Sequence, residues 1–541
     1  MNSEAKSKEN QDAKTTKAII IVTLIVFFSE TTGFLRDVLI AYRYGTGILS
    51  DTYFAVAGVT ILLFNLIVNS VITTVIPVLS HLEAKHGKRQ KIIYTGKILT
   101  MIGLISSFVA VLAEIFAPLL IKFIATGFGV DQFDLAVKLL RIGIPGIIFS
   151  SMIGVLSGFL QSEGKYYASS STRIIFNLTC ILYLFFFSSH FGILGLMTAA
   201  VIGSMMQFLI LIKDLKLTGF SYRLSLKTKI ISRDLAEDSY LNRVLKLSLP
   251  VFSGVAVYDL NTMLDRAFAS FLSAGNISQL TYANKIETLV ISIFISGLMT
   301  VAYPRITRKI AEQDLAGFKA VFQRTLNLSL LITIPASAGL IILGQPIVQI
   351  LYQRGAFSSQ ATEITARVLA MYAIGLLGKS IREVTVRAFY ALERNKAVLL
   401  NSGITLFLNM LLNLIVIKFA RVELLALMTS MTIIITSFIL LGQLKRKTGQ
   451  LGLKNVLICS VKSLIATIIM ALTAVFMYRT LLGKIDSESN VQVFLISALT
   501  IITAVIVYVV LICIFKVKEA REIIDDIIYR FLKIKPRKNK E

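Results

Sequence analysis

The sequence predicts an all-α polytopic membrane protein: fourteen transmembrane helices, two six-helix lobes around a central cavity, and two extra C-terminal helices. Three observations predict it. Of 541 residues 55% are hydrophobic and 16% charged, with mean hydropathy +0.76, whereas a soluble domain carries about a quarter charged residues. Fourteen stretches approach the roughly 20 apolar residues that a helix needs to cross a bilayer. The net charge of +25 is concentrated in alternate connections, the pattern that orients a chain with its Lys-rich and Arg-rich loops inside. A nucleic-acid binder would spread such charge over polar domains, and no stretch is long and polar enough to be one.

Residues 1–17 are polar and mixed in charge, unlike a secretory leader, so the first span is expected to stay. The spans are read at 18–42, 52–80, 95–118, 135–160, 172–189, 192–212, 247–272, 280–303, 325–351, 364–391, 397–418, 424–444, 456–480 and 491–515. "HLEAKHGKRQK", the connection 213–246, "RITRKIAEQDLAGFK", "ERNK", "KRKTGQLGLK" and the tail 516–541 are basic, whereas "SAGNISQ" and "LLGKIDSESN" are not. An even count then places both termini in the cytoplasm, and the amphipathic tail on the inner membrane surface. Spans 1–6 (18–212) and 7–12 (247–444) form the lobes, with 456–515 left as an appendage.

An internal repeat supports two lobes. "LRDVLIAYRYGTGILSDTYFAVAGV" and "LDRAFASFLSAGNISQLTYANKI" each hold an Arg/Asp pair, a Gly-containing turn, a Tyr opening the next span and a small-residue helix. Each second helix is read as ending at a proline, Pro77 or Pro304, before a basic loop. The units start six spans apart and so share an orientation, the arrangement of parallel repeats with a site between them.

Charges inside spans cost about 2.5–3.5 kcal/mol each at mid-bilayer, so they should face water or one another. Glu30, Arg36 and Asp37 lie in the first span, where Thr31, Thr32 and Gly33 suggest a break or kink. Asp259, Asp265 and Arg266 lie in the seventh span, Lys285 and Glu287 in the eighth. Lys379, Arg382, Glu383 and Arg387 share one face of the tenth. Arg36–Asp37 and Asp265–Arg266 read equally as lobe-holding ion pairs; Lys285 and Glu30 read as cavity groups. Arg387 and Arg394 read as boundary residues, and Glu114, Lys138, Arg141 and Arg173 as interfacial. Cys180, Cys459 and Cys513 read as buried hydrophobes, without metal or disulfide spacing. "GTGILS" reads as a tight turn, and no Walker A motif or nucleophile elbow is present, so the chain is not expected to be an enzyme.

These residues resemble the MurJ (MviN) lipid II flippase family of the multidrug/oligosaccharidyl-lipid/polysaccharide exporter superfamily. Ser29, Gly33, Phe34, Arg36 and Asp37 match its first-span pattern; Gly45, Asp51, Tyr53 and Phe54 match the turn that follows. "DRAFASFLSAGNISQLTYANKI", "LYQRGAFS" and "RAFYAL" are similar to further family motifs in the same order. The resemblance implies alternating-access transfer of an undecaprenyl-diphosphate-linked peptidoglycan precursor from the inner to the outer leaflet of the bacterial cytoplasmic membrane. It implies Arg36 and Lys285 at the diphosphate, with Glu30, Lys379 and Arg382 beside them. It implies Asp51, Asp37, Asp265 and Arg266 at the outer gate, and a groove for the lipid tail in 456–515. No metal or cofactor is implied; Na+, H+ or the membrane potential remain open as the driving force. Membrane lipids and cell-wall synthesis proteins are the expected partners. The chain departs from the family pattern at Glu30, near Phe64 and at Lys285, where the family has arginine. Either Lys379 and Arg382 compensate, or the cargo is another polyprenyl-linked oligosaccharide, such as an exopolysaccharide unit. A cation-coupled multidrug exporter and a non-transporting scaffold for a wall-synthesis complex are the remaining alternatives.

Overall fold

A computed structural model describes residues 24–222, 260–482 and 490–522; the side chains of 64–74, 77 and 482 are not described. The expected N-terminus 1–17, most of the 213–246 connection, Asp259 with the first half of the seventh span, the "GKIDSES" connection, the side chain of Phe64 and the tail beyond 522 lie outside the described residues.

Long apolar runs with few breakers become helices, because in lipid every backbone N–H and C=O must be satisfied within the segment. In chain order these are α1 (24–44), α2 (Ile48–Ile115), α3 (Ala117–Ile124), α4 (Val130–Gly143), α5 (Gly146–Ser162), α6 (Tyr166–Phe186), α7 (Ser188–Leu217), α8 (260–269) and α9 (Asn276–Val290). They continue with α10 (Ser296–Ala311), α11 (Leu315–Ile342), α12 (Gly344–Tyr352), α13 (Ser359–Ala391), α14 (Asn395–Val416), α15 (Val422–Thr448), α16 (Leu453–Leu482) and α17 (Asn490–Ile514). A π-helical segment, Ile291–Ile295, joins α9 to α10. Among the described residues, eleven helices are long and apolar enough to cross a membrane, and Ile48–Leu63 is a shorter apolar one. The other expected spans are represented by α1 and α8.

The described residues form two compact units: residues up to Ser278 with Arg354–Phe357, and Gln279–Gln353 with the residues from Ser358 onward. In the first unit α2 packs along α5, and α6 along α7. Its core includes Val75, Leu79, Ile98, Leu156, Phe159 and Leu211. Within α2 the backbone leaves the helix at Gly87 (φ 79°), which separates the second and third expected spans inside the basic connection. In the second unit α13 packs along α15 and α11, and α11 along α16, which pairs with α17. Small residues let α13 and α15 approach: a Cβ on Gly375 would lie 2.7 Å from Ser430 Oγ, and one on Gly378 would lie 2.8 Å from Ile434 Cα. Ser430 and Ser437 hydroxyls donate across this contact to the carbonyls of Met371 and Gly378, both at 2.8 Å.

Several expectations are corrected. The break at Thr31–Gly33 is absent: the Thr31 and Thr32 hydroxyls donate to the carbonyls of Phe27 and Ser29, both at 2.9 Å, and α1 runs on unbroken. Helices do not stop at the prolines, for Pro304 lies inside α10 and residue 77 inside α2. Cys180 and Cys459 are buried, but Cys513, on α17, is exposed.

Candidate functional site

Within the first unit, the charges of α1 meet a polar face of α6. Arg36 donates from Nε and Nη2 to Asp37 Oδ1 at 3.0 and 2.8 Å, and from Nη1 to Asn177 Oδ1 at 3.1 Å. The guanidinium also lies over the Phe176 ring, 5.7 Å from its centre. Asn177 Nδ2 in turn donates to the Ser29 carbonyl (3.1 Å) and Thr32 Oγ1 (3.2 Å), which fixes α6 on α1. Asp37 is buried, while the Arg36 side chain keeps 18% of its surface exposed. Arg36 and Asp37 thus form an ion pair within α1, and the guanidinium is oriented on two sides by Asp37 and Asn177.

Glu30 is paired. Arg173, four residues before Asn177 on the same face of α6, reaches it at 3.0 Å. The position where the family pattern has arginine thus carries a carboxylate whose charge a neighbouring helix balances. Arg173 and Asn177 are the residues that sequence reasoning missed. Their spacing of one helical turn on α6 was the available signal.

Asp51 opens α2 and is 3% exposed. Its carboxylate accepts the backbone N–H groups of Gly275 (2.6 Å) and Ser278 (2.7 Å), the free donors at the start of α9. Arg266 donates from Nη1 to the Phe54 carbonyl at 3.1 Å. It lies where a Cβ on Gly58 would overlap it, so the glycine makes room for the guanidinium. Asp265 is buried on α8. Residues Arg354–Phe357 of the "LYQRGAFS" motif belong to this unit, where Ala356 N–H donates to the Tyr42 carbonyl at 2.8 Å.

Within the second unit, Lys379 of α13 forms an ion pair with Glu287 of α9 and lies over the Tyr372 ring at 5.8 Å. Glu287 has no exposed surface and Lys379 has 22%. Lys285 is half-buried two residues earlier on α9. Arg382 turns instead to α14, donating to Asn401 Oδ1 (2.6 Å) and Ser402 Oγ (2.9 Å). Arg387 pairs with Glu383 at 3.1 Å and lies over Tyr303. The four charges that share a face by spacing thus divide among α9, α14 and their own helix.

Outside the spans, Lys91 lies in the basic segment after Gly87 and is fully buried. It is 2.6 Å from both Glu83 and Glu163 and lies over the Phe159 ring at 5.4 Å. Glu163, in the turn between α5 and α6, also meets Lys88 at 2.8 Å. Burial would raise the Glu163 carboxyl, but hydrogen bonds from Lys88 and Lys91 outweigh it and hold the group below the usual carboxylate range. Among the described residues no three His, Cys, Asp or Glu side chains could hold a metal together.

A multi-pass helical chain with buried charge pairs in its spans defines a membrane transporter class. Thirteen per cent identity and a TM-score of 0.66 relate the fold to an inward-facing multidrug MATE transporter, over 80% of this chain and 98% of that one. The model of the lipid II flippase MurJ family matches residues 40–489, and the chain belongs to that family. A solved lipid II flippase MurJ in an inward closed conformation is similar with 25% identity and a TM-score of 0.77, over 95% of this chain and 100% of that one. The probable lipid II flippase MurJ of Buchnera aphidicola (subsp. Acyrthosiphon pisum) is 28% identical over 408 residues, 73% of this chain and 77% of its own length. That of Vibrio cholerae is 27% identical over 429 residues, 77% and 80% of the two lengths.

Proposed function

We propose that this chain is a flippase for a polyprenyl-diphosphate-linked peptidoglycan precursor, lipid II, carrying it from the cytoplasmic to the outer leaflet by alternating access. The observation that carries this reading is Arg36: a guanidinium oriented by Asp37 and Asn177 on a side chain that stays 18% exposed, in a member of a family of lipid II flippases. A lipid diphosphate loses hydration as it crosses, and a pre-oriented guanidinium replaces that hydration with charge-assisted hydrogen bonds. Lys285 would assist as a second cation. The Glu30–Arg173 and Lys379–Glu287 pairs would set the charge of the two halves, while Arg382 would act from its seat on α14. Asp51, Asp37, Asp265 and Arg266 would hold the outer gate. The basic connections support a cytoplasmic position for both termini, and the membrane potential, if it drives the cycle, would supply about 2.3 kcal/mol per charge per 100 mV.

The test is leaflet-resolved labelling of lipid II in cells that rely on this chain alone. Wild type should sustain outer-leaflet lipid II, and Arg36→Ala should abolish it at unchanged protein abundance. Normal labelling with Arg36→Ala would remove the site assignment, and no labelling with wild type would remove lipid II as the cargo.

A further inference from the structure

The end of α17 turns on a residue that the turn does not suit. Lys516 N–H donates to the Cys513 carbonyl (3.0 Å) and Val517 N–H to the Ile512 carbonyl (3.2 Å). This is the paired bonding of a Schellman motif, closed by the buried apolar contact of Ile512 with Val517. The residue at its left-handed corner is normally glycine, because a Cβ there is strained. Here it is lysine, with φ 51°. Backbone strain of this kind points to what the side chain does.

Lys516 opens onto a cavity of about 480 Å³ between α11, the start of α16 and residues 516–522, within the range of small-ligand sites. Four cations and two carboxylates line it. Both carboxylates are already met: Glu522 pairs with Arg324 at 2.8 Å, and Glu519 accepts from Asn327 Nδ2 at 2.5 Å. Lys462 caps the end of α17 by donating to the Phe515 carbonyl at 2.9 Å. Lys516 and Lys518 have no ion pair among the described residues. Asn327 is 2% exposed, and its Oδ1 accepts no hydrogen bond. The wall therefore offers cations for an anion and one buried acceptor for a hydroxyl. Ile458 of the cavity wall begins a stripe of exposed apolar residues that continues along α16 through Val461, Ile465 and Leu472.

We propose that this cavity binds the headgroup of a glycerol-headed anionic phospholipid of the bilayer. Its phosphate diester lies between Lys516 and Lys518, a headgroup hydroxyl donates to Asn327 Oδ1, and an acyl chain follows the α16 stripe. The cavity lies at the end of α11 and α16 that follows the basic connections, which is the inner leaflet by the charge rule. The site is separate from the charges assigned to cargo and does not depend on them.

The test uses the full chain purified in detergent, with native mass spectrometry counting the lipids retained and thermal unfolding as the second readout. The probes are dioleoyl phosphatidylglycerol, dioleoyl phosphatidylcholine and inorganic phosphate. Wild type should retain phosphatidylglycerol over phosphatidylcholine and be stabilised by it. Lys516→Gly removes the cation and relieves the corner, so without lipid it should unfold no earlier than wild type. It should bind phosphatidylglycerol about tenfold more weakly, the worth of one charge-assisted hydrogen bond. Lys518→Gln, which leaves the corner untouched, should weaken binding by a similar factor. Undiminished phosphatidylglycerol binding by both variants, or equal retention of the two lipids by wild type, would overturn the site. Displacement of the lipid by millimolar inorganic phosphate would make the occupant a free anion and overturn the lipid assignment.

Discussion

Replacing Lys91 with methionine keeps most of the side chain's volume and removes its charge. The ammonium is fully buried and 2.6 Å from each of two carboxylates. Deleting one partner of a buried ion pair costs about 3–5 kcal/mol, mostly through the charge left behind. Here Glu163 keeps Lys88 at 2.8 Å, and Glu83 is 37% exposed and can rehydrate. The cost should therefore lie at the lower end, about 3 kcal/mol. At about 2 °C per kcal/mol for a domain of this size, the thermal midpoint in detergent should fall by about 6 °C. Lys91→Met combined with Glu163→Gln should cost less than the two single variants added, because both remove the same contact. A fall under about 2 °C, or a double variant as costly as the two singles added, would refute the reasoning. The pH profile supplies a second check. The Glu163 carboxyl is held below its ordinary 4.5 in the folded chain. Its contribution is then complete above about 4.5 and is lost as pH falls through the lower folded value. Glu163→Gln should flatten that acid limb.

Lys379→Met leaves Glu287 fully buried without its cation and should cost about 3–5 kcal/mol in a thermal or denaturant assay, with Glu287→Gln restoring much of it. Gly58→Ala places a methyl group on the Arg266 guanidinium. It should break the bond to the Phe54 carbonyl and cost about 1–3 kcal/mol, while Gly103→Ala, where a Cβ meets nothing within 4 Å, should leave the thermal midpoint unchanged or raised.

The spans were legible because lipid leaves the backbone few solutions: long apolar runs between charged connections must be helices. The turn at Gly45–Gly47 and the bend at Gly87 lie where the sequence placed a turn and a connection. The break expected at Thr31–Gly33 failed because hydroxyl side chains can feed their own helix's carbonyls, a local choice that propensity does not encode. Partners of charges were harder. Arg36–Asp37 was visible because the two are adjacent in sequence. Glu30–Arg173 was hidden by the sequence separation of 143 between its members. Lys379 and Arg382 sit on neighbouring positions of one face, yet a buried carboxylate on α9 draws one and the amide of Asn401 on α14 draws the other. For Asn177 the one-turn spacing from Arg173 was a weak signal, because an uncharged amide in a span is not conspicuous until its hydrogen bonds are known.

The π-helical turn at Ile291–Ile295 makes the length of that helix as meaningful as its composition. Such a turn amounts to one residue more than regular winding needs, and each residue of an α-helix turns the chain by about 100°. Deleting one residue between Ile291 and Ile295 would let the coil close to regular winding with Tyr303, Pro304 and Arg305 kept on the same side relative to Lys285 and Glu287, whereas deleting a second would swing them by about 100°. A variant shorter by one isoleucine at this turn would keep its neighbours, and one shorter by two would present its second half to the wrong ones.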